Sequence, residues 1–327
     1  MPTYASIQRI TAINGDNSTF NPSNEWTDVA WWVEGDIAGS DWIETRPSAD
    51  QDEAWCHGRI DMGTSVRVQA SSIPIIIYDD SGNQIVRVKN DGFGNFQAMY
   101  DFGGGWTNFG STFVYSGGAA NIDVHVKIDD TVGEIHVYYN DTLYATFNGD
   151  TVGSYTGHKI QKARYGGSSG TTSAFRLTLY ETMWGEGDSP TNGLRVFCKA
   201  PTGNSGTNTA WTGDYTDVDE IDPLTPDANI VTTGSASQRE GFTIPSLPSG
   251  ISEFSIQCMG FSALAQGDGT RDFAFSYRLD STDYDGSAVG LGLSQEWFEQ
   301  SDFVNPDTAS AWLVSDLSGA EFGVLSS

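Results

Sequence analysis

Hydrophobic and polar residues alternate with a period of two along much of the chain, the pattern of strands with one buried face. The clearest run is Ile122 to Lys127, where Ile122, Val124 and Val126 fall on one face and Asp123, His125 and Lys127 on the other. The turn signal Asp129-Asp130-Thr131-Val132-Gly133 follows, and then Ile135, Val137 and Tyr139 alternate with Glu134, His136 and Tyr138. Asn140-Asp141 predicts another turn and Leu143 to Phe147 a further strand. Connections this short cannot make a parallel crossover, so these strands form an antiparallel meander. An earlier hairpin runs from Ile75-Ile76-Ile77-Tyr78 through Asp79 to Asn83 into Gln84 to Val88, with Gly82 supplying the positive φ of a tight turn. Gly92 to Met99, Phe113 to Tyr115 and Phe175 to Tyr180 predict more strands, the last closing a first domain.

A small, polar, proline-ended stretch, Gly185 to Pro190, places a domain boundary at 187/188. Beyond it, Leu194 to Phe197, Arg239 to Ile244, Phe254 to Phe261, Phe273 to Leu279 and Ala288 to Leu293 read as strands. The polar stretch from Thr202 to Asp222 carries Trp211 and Tyr215 and reads as an ordered loop. Helix is expected only over Thr308 to Leu317, capped by Asp307 or Thr308. Many strands and almost no helix predict an all-β chain: a jelly-roll sandwich over residues 1–187 and a second, smaller β-sandwich over 188–327.

Composition agrees with this reading. The 327 residues suffice for two cores, and 38 glycines suit many tight turns. Only 16 Lys and Arg stand against 43 Asp and Glu, a net charge of −27 that repels phosphate backbones and makes nucleic acid an unsuitable partner. Cys56, Cys198 and Cys258 have no zinc spacing and no disulfide framework; Cys56 and Cys258 read as small core residues. No apolar run approaches a membrane span, and the start has no basic region followed by an apolar core. The expectation is a protein made in a cytoplasm without a signal peptide and without membrane insertion.

Three stretches of the first half, IIIYDDSGNQIVRV, IDVHVKIDDTVGEIHVYYNDTLYATFNGD and AFRLTLYETMWG, resemble the concanavalin A-like, laminin-G-like lectin sandwiches. In the second half, GLRVFCKAPTGNSGTNTAWTGDYTDVDEIDP and DTASAWLVSDLSGAEFGVLSS resemble the C-terminal domain of tailed-phage structural proteins. The resemblances imply a virion component, made in the host cytoplasm and carried out with the particle, as a head decoration, fibre or tail-tip element. Its partners would be other virion proteins, copies of itself in a symmetric oligomer and, on the lectin-like domain, a host-surface glycan.

Candidate chemistry is sparse. The string Asp217-Val218-Asp219-Glu220-Ile221-Asp222 has the alternating carboxylates of some glucanases, but its outer members are aspartates and it lies outside the lectin-like domain, so it reads as an acidic loop or cation site. His125 and His136 lie on neighbouring strands; without a nearby Cys they read as solvent-facing cross-strand residues and not as zinc ligands. Calcium is compatible with the Asp79 to Asn83 loop, but a plain turn explains it, and no cofactor is expected. Trp26, Trp31, Trp32 and Trp42 cluster near the start and read as packing or interface residues. Trp106, on a glycine-rich loop, and Asn108 beside it are the candidate glycan-binding residues. With no catalytic residues in view, the chain is expected to be a non-enzymatic virion structural protein. The alternatives are a carbohydrate-active depolymerase and a free glycan-binding lectin module.

Overall fold

The computed structural model describes residues 3–5, 12–14, 31–35, 42–61, 72–91, 94–115, 117–166, 175–218, 229–245, 256 and 258–327. The chain divides into two compact units, Met1–Cys198 and Lys199–Ser327. It is all-β, as the alternation predicts.

The first unit contains β1 (Thr3–Ala5), β2 (Ala12–Asn14), β3 (Trp31–Gly35), β4 (Trp42–Thr45), β5 (Glu53–Asp61), β6 (Ile75–Asp79) and β7 (Gln84–Asn90). It continues with β8 (Asn95–Tyr100), β9 (Thr107–Val114), β10 (Ala120–Lys127), β11 (Gly133–Tyr139), β12 (Thr142–Gly149), β13 (Ile160–Tyr165) and β14 (Phe175–Glu186). They form two antiparallel seven-stranded sheets. One has the order β1-β14-β5-β10-β11-β12, with β3 also on β14; the other has the order β2-β4-β13-β6-β7-β8-β9.

The predicted meander is present as β10, β11 and β12, and its register pairs His125 with His136. The β11–β12 turn is Asn140-Asp141, both at positive φ (45° and 63°), which two-residue hairpins require. Inward residues of the two sheets make the core: Ile60, Ile122, Val124, Ile135, Val137, Leu177 and Leu179 from one, and Ile43, Ile75, Ile77, Val86, Val88 and Ala163 from the other. Rings cross the interface, Phe113 on Tyr139 at 4.7 Å and Tyr100 on Phe147 at 4.5 Å between centroids. Polar atoms buried there are paired: the Trp184 indole N–H donates to Thr45 Oγ1 (3.1 Å), and the Tyr165 hydroxyl donates to the His57 carbonyl (2.8 Å) and lies 3.1 Å from Cys56 Sγ. Cys56 is a buried free thiol, as expected. Gly58 is needed beneath Tyr165, because a Cβ there would lie 2.3 Å from the ring.

The closing strand is longer than the alternation predicts, and the first unit runs past the polar Gly185–Pro190 stretch to Cys198. The reason is anchoring. Beyond β14 the chain lies back on the outer face of the β14-β5-β10 sheet. There Thr191 Oγ1 donates to Asp123 (2.7 Å), the Gly193 N–H to Asp141 (2.6 Å) and Arg195 Nε to Glu181 (2.9 Å).

The second unit holds β15 (Gly203–Thr209), β16 (Arg239–Thr243), β17 (Met259–Ala265), β18 (Asp272–Leu279), β19 (Thr282–Asp285), β20 (Val289–Gly290), β21 (Glu296–Asp302) and β22 (Glu321–Ser326). A six-stranded sheet, β15-β16-β22-β18-β19 with β20 on β18, faces the two-stranded β17-β21 ribbon. Phe261 of the ribbon packs on Phe275, Tyr277 and Phe322 of the sheet at 4.8–5.4 Å between centroids. The polar stretch after Thr202 is thus partly a strand. In it the Trp211 backbone and indole N–H groups donate to Glu240 and to the Gln238 carbonyl.

The helix expected over Thr308 to Leu317 does not form. Asn305 and Ser310 bridge, Ala309 turns at φ 52°, and only a 3-10 turn, Val314–Leu317, follows. Burial of Trp312 overrides the local propensity: its indole sits in the core and donates to the Asp302 carbonyl at 3.0 Å.

Candidate functional site

The sheet β4-β13-β6-β7-β8-β9 has an inward face of aliphatic and aromatic residues and an outward face of another kind. Register carries one row across it: Glu44 pairs with Arg164, Arg164 with Ile76, Ile76 with Arg87, Arg87 with Met99, and Met99 with Asn108. Period-two alternation places Trp42, Tyr78, Lys89, Gln97 and Lys162 on the same face. The local sequences explain this. In Ile85-Val86-Arg87-Val88-Lys89 the valines point into the core and the cations away, and in Ile160 to Tyr165 Ala163 and Tyr165 point in while Lys162 and Arg164 point out.

The outward side chains stack cations on rings. The Arg164 guanidinium lies 3.7 Å from the Trp42 ring centre and 5.0 Å from that of Tyr78, and Lys162 Nζ lies 5.3 Å from Tyr78. Arg87 covers Trp106 at 3.8 Å. Such pairs are worth roughly 0.5–2 kcal/mol each, depending on desolvation. Glu44 is the counter-charge at one end. It is buried and accepts from Arg164 Nε (2.9 Å) and Arg46 Nη2 (2.9 Å), with Lys162 Nζ 3.4 Å away. Burial alone would raise its pKa, but the arginine hydrogen bonds and the lysine charge hold it below the ordinary carboxylate value.

Arg87 differs from Arg164. It is only 8% exposed, Met99 Sδ accepts from its Nε at 3.4 Å, and among the described residues no carboxylate lies within ion-pair distance. Desolvation lowers its pKa, with Asp101 opposing from a distance. Among the described residues the face therefore holds five cations, Arg46, Arg87, Lys89, Lys162 and Arg164, and Glu44 is in contact with three of them, Arg46, Lys162 and Arg164. In a chain of net charge −27 this is a local inversion of sign.

Both sequence candidates lie here. Trp106 is half-buried with one ring face taken by Arg87, and Asn108 is exposed on β9, next to Met99 in the row. The structure adds Arg87, Arg164, Lys162, Trp42 and Tyr78. Their signal in the sequence was cations alternating with core residues in an otherwise acidic chain. Of the N-terminal tryptophans, Trp42 belongs to this face, Trp31 and Trp32 lie on β3, and Trp26 falls outside the described residues.

A second polar constellation lies on the outer face of the opposite sheet, under the segment that ends the first unit. His57 Nδ1 is 2.8 Å from Asp123 Oδ1, and His57 Nε2 is 3.8 Å from Glu181, an ion-pair distance too long for a hydrogen bond. All three side chains are fully buried. Burial disfavours the imidazolium, but the Asp123 and Glu181 carboxylates prevail and raise the His57 pKa to about 9. Burial likewise works against the Glu181 anion, yet His57 and Arg195 lower its pKa to about 2. These groups are closed to substrate and serve as an anchor.

The Asp79 loop is a turn: Asp79 accepts from the Ser81 and Asn83 backbone and from the Asn83 side chain, and Asp80 accepts from the His158 N–H. Asp217 closes a capping box with Asp214 on a 3-10 turn, and Asp219 to Asp222 lie outside the described residues. His125 is not solvent-facing. It is 2% exposed, stacked on Trp55 at 4.7 Å and within 3.0 Å of Glu53, because the segment after β14 covers this face.

No protein-family model matches the chain, and no curated protein matches it. Solved structures similar to it include the alginate lyase Aly36B, at 13% identity and a TM-score of 0.41 over 54% of this chain and 87% of that one. Another is the alginate lyase AlgAT5 of polysaccharide lyase family 7, at 12% identity and 0.39 over 54% and 85%. The binding domain of botulinum neurotoxin DC in complex with SialylT is similar at 8% identity and 0.41 over 87% and 68%. The expectation of a chain that is not an enzyme is corrected by this comparison, since alginate lyases stand among the structures it resembles. That expectation rested on missing paired carboxylates, which glycoside hydrolysis uses. The chain is similar to carbohydrate-binding and lyase-type β-sandwiches.

Proposed function

We propose that the first unit binds an anionic polysaccharide on the outward face of the β4-β13-β6-β7-β8-β9 sheet. The observation that carries this reading is Arg87, a guanidinium buried against Trp106 with no carboxylate in contact among the described residues, in line with Arg164, Lys162 and Trp42. A buried cation without a counter-charge is costly, and an incoming carboxylate or sulfate supplies one. Arginine suits planar anions because its fork donates two parallel hydrogen bonds. Trp42 and Trp106, both partly exposed, offer apolar surface to sugar rings, and Asn108 a hydrogen-bonding amide at the edge.

Binding of alginate and of neutral dextran to the full chain, followed by calorimetry, tests this. Alginate is expected to bind and to weaken as salt rises, because exposed charge attraction is screened. Arg87→Ala and Arg164→Ala are each expected to weaken it at least ten-fold, and Trp106→Ala by less. Equal affinity for dextran, or an alginate affinity untouched by Arg87→Ala, would reject the reading. Appearance of unsaturated sugar ends during the same incubation would make the site catalytic.

A further inference from the structure

The outer face of the β5-β10-β11 sheet, across the sandwich from the basic face, carries a group of metal-ligating side chains that glycan binding leaves unused. His125 on β10 and His136 on β11 are directly opposed in register, with ring centroids 5.2 Å apart. Glu134 lies two residues before His136 on the same face, and its Oε2 is 3.9 Å from His136 Nε2. One ligand atom from each of His125, Glu134 and His136 lies within 4.8 Å of the others. A zinc ion with bonds of about 2.0–2.1 Å holds its ligand atoms roughly 3.3 Å apart, so small side-chain rotations would close the set.

The second observation is the state of His125 itself. It is 2% exposed and its Nδ1 has no hydrogen-bond partner among the described residues. Its Nε2 lies 3.0 Å from Glu53 Oε1. A carboxylate accepting from one ring N–H fixes the tautomer and leaves the other nitrogen as a lone pair. A buried imidazole nitrogen with nothing to accept from costs free energy unless a ligand takes it up. Trp55 stacks on the ring at 4.7 Å and holds its plane. His136 and Glu134 are partly exposed, with side chains 22% and 38% accessible, which leaves an entry path from solvent. Among the described residues, the carboxylates and imidazoles facing this group are Glu53 from β5, Glu134 and His136 from β11, and Asp188 from the segment after β14.

We propose that His125, His136 and Glu134 bind a first-row divalent metal ion of the zinc class, with Glu53 orienting His125 from behind. Two imidazoles and one carboxylate suit zinc, cobalt or nickel and not the all-oxygen preference of calcium or magnesium. Three protein ligands leave a fourth position for water or an anion.

The test is a titration of the full chain, freed of metal by a chelator, with Co2+ as a spectroscopic probe in the presence of excess Ca2+. The expected result is one Co2+ per chain with a visible band of four-coordinate cobalt, displaced by Zn2+. His136→Gln and Glu134→Gln are each expected to weaken binding at least ten-fold, and His158→Gln to leave it unchanged. Glu53→Gln is expected to weaken it by about 10–100-fold and to shift the cobalt band. His136 and Glu134 are partly exposed, so both variants should retain the wild-type circular dichroism spectrum. Absence of a saturable band, loss of binding to excess Ca2+, or a His136→Gln variant that binds as tightly as wild type would overturn the proposal.

Discussion

Replacing Asp123 by alanine is expected to destabilise the first unit by about 3–5 kcal/mol, the scale for breaking a buried ion pair by removing one partner. Asp123 Oδ1 takes His57 Nδ1 at 2.8 Å and the Thr191 hydroxyl at 2.7 Å, and the His57 and Asp123 side chains have no exposed surface. Without the carboxylate, an imidazolium would be left in the interior near Glu181 alone, and the segment after β14 would lose its Thr191 tether. The pH dependence identifies the mechanism. The folded pKa of His57 is raised to about 9 from an ordinary 6.5, so its contribution is fully present below about 6.5 and is lost as pH rises through about 9. Glu181 is lowered to about 2, so its contribution is present above about 4.5 and is lost as pH falls through about 2. Thermal unfolding should therefore be highest between about pH 4.5 and 6.5 with respect to this pair. In Asp123→Ala the fall in melting temperature from pH 6.5 to 9 should flatten while the acid limb stays. A loss of under about 1 kcal/mol, or an unchanged alkaline limb, would show that the network carries little stability.

Trp312→Ala is expected to have a comparable effect on the second unit, again about 3–5 kcal/mol, the range for removing a large aromatic from a core. The indole is 1% exposed and packs with Tyr277, Leu279, Ala320 and Phe322, its centroid 5.4 Å from that of Tyr277. Its N–H holds the Asp302 carbonyl at the end of β21. Truncation would open a cavity and release the connection between β21 and β22. Chemical denaturation followed by near-ultraviolet circular dichroism reads this directly. The neighbouring Leu313 is 61% exposed, so Leu313→Ala should stay within about 0.5 kcal/mol of wild type. Equal effects for the two substitutions would mean that Trp312 does not belong to the core.

The meander was legible because Ile122, Val124 and Val126 alternate cleanly with polar residues and Asn140-Asp141 tolerates positive φ. The helix predicted over Thr308 to Leu317 does not form for the opposite reason, since burial of one tryptophan outweighs the propensities of its neighbours. Of the basic face, Trp106 was visible as an aromatic on a glycine-rich loop with Asn108 beside it, but their surroundings were not. Trp42, Arg87 and Arg164 are far apart in the chain, and nothing local says that β4 and β13 lie beside the β6–β7 hairpin.

The sequence by itself determined an all-β chain, the strand pairs joined by short turns, and which residues of each strand point inward. These follow from side-chain period and turn chemistry, both local. Only the tertiary structure decided which strands are neighbours beyond those hairpins, and with that the stacking of Arg87 on Trp106 and of Arg164 on Trp42, the burial of His125 behind Glu53, and the enclosure of His57 between Asp123 and Glu181. Each depends on residues brought together by sheet order, and an interaction between distant residues leaves no mark on the periodicity of either strand alone.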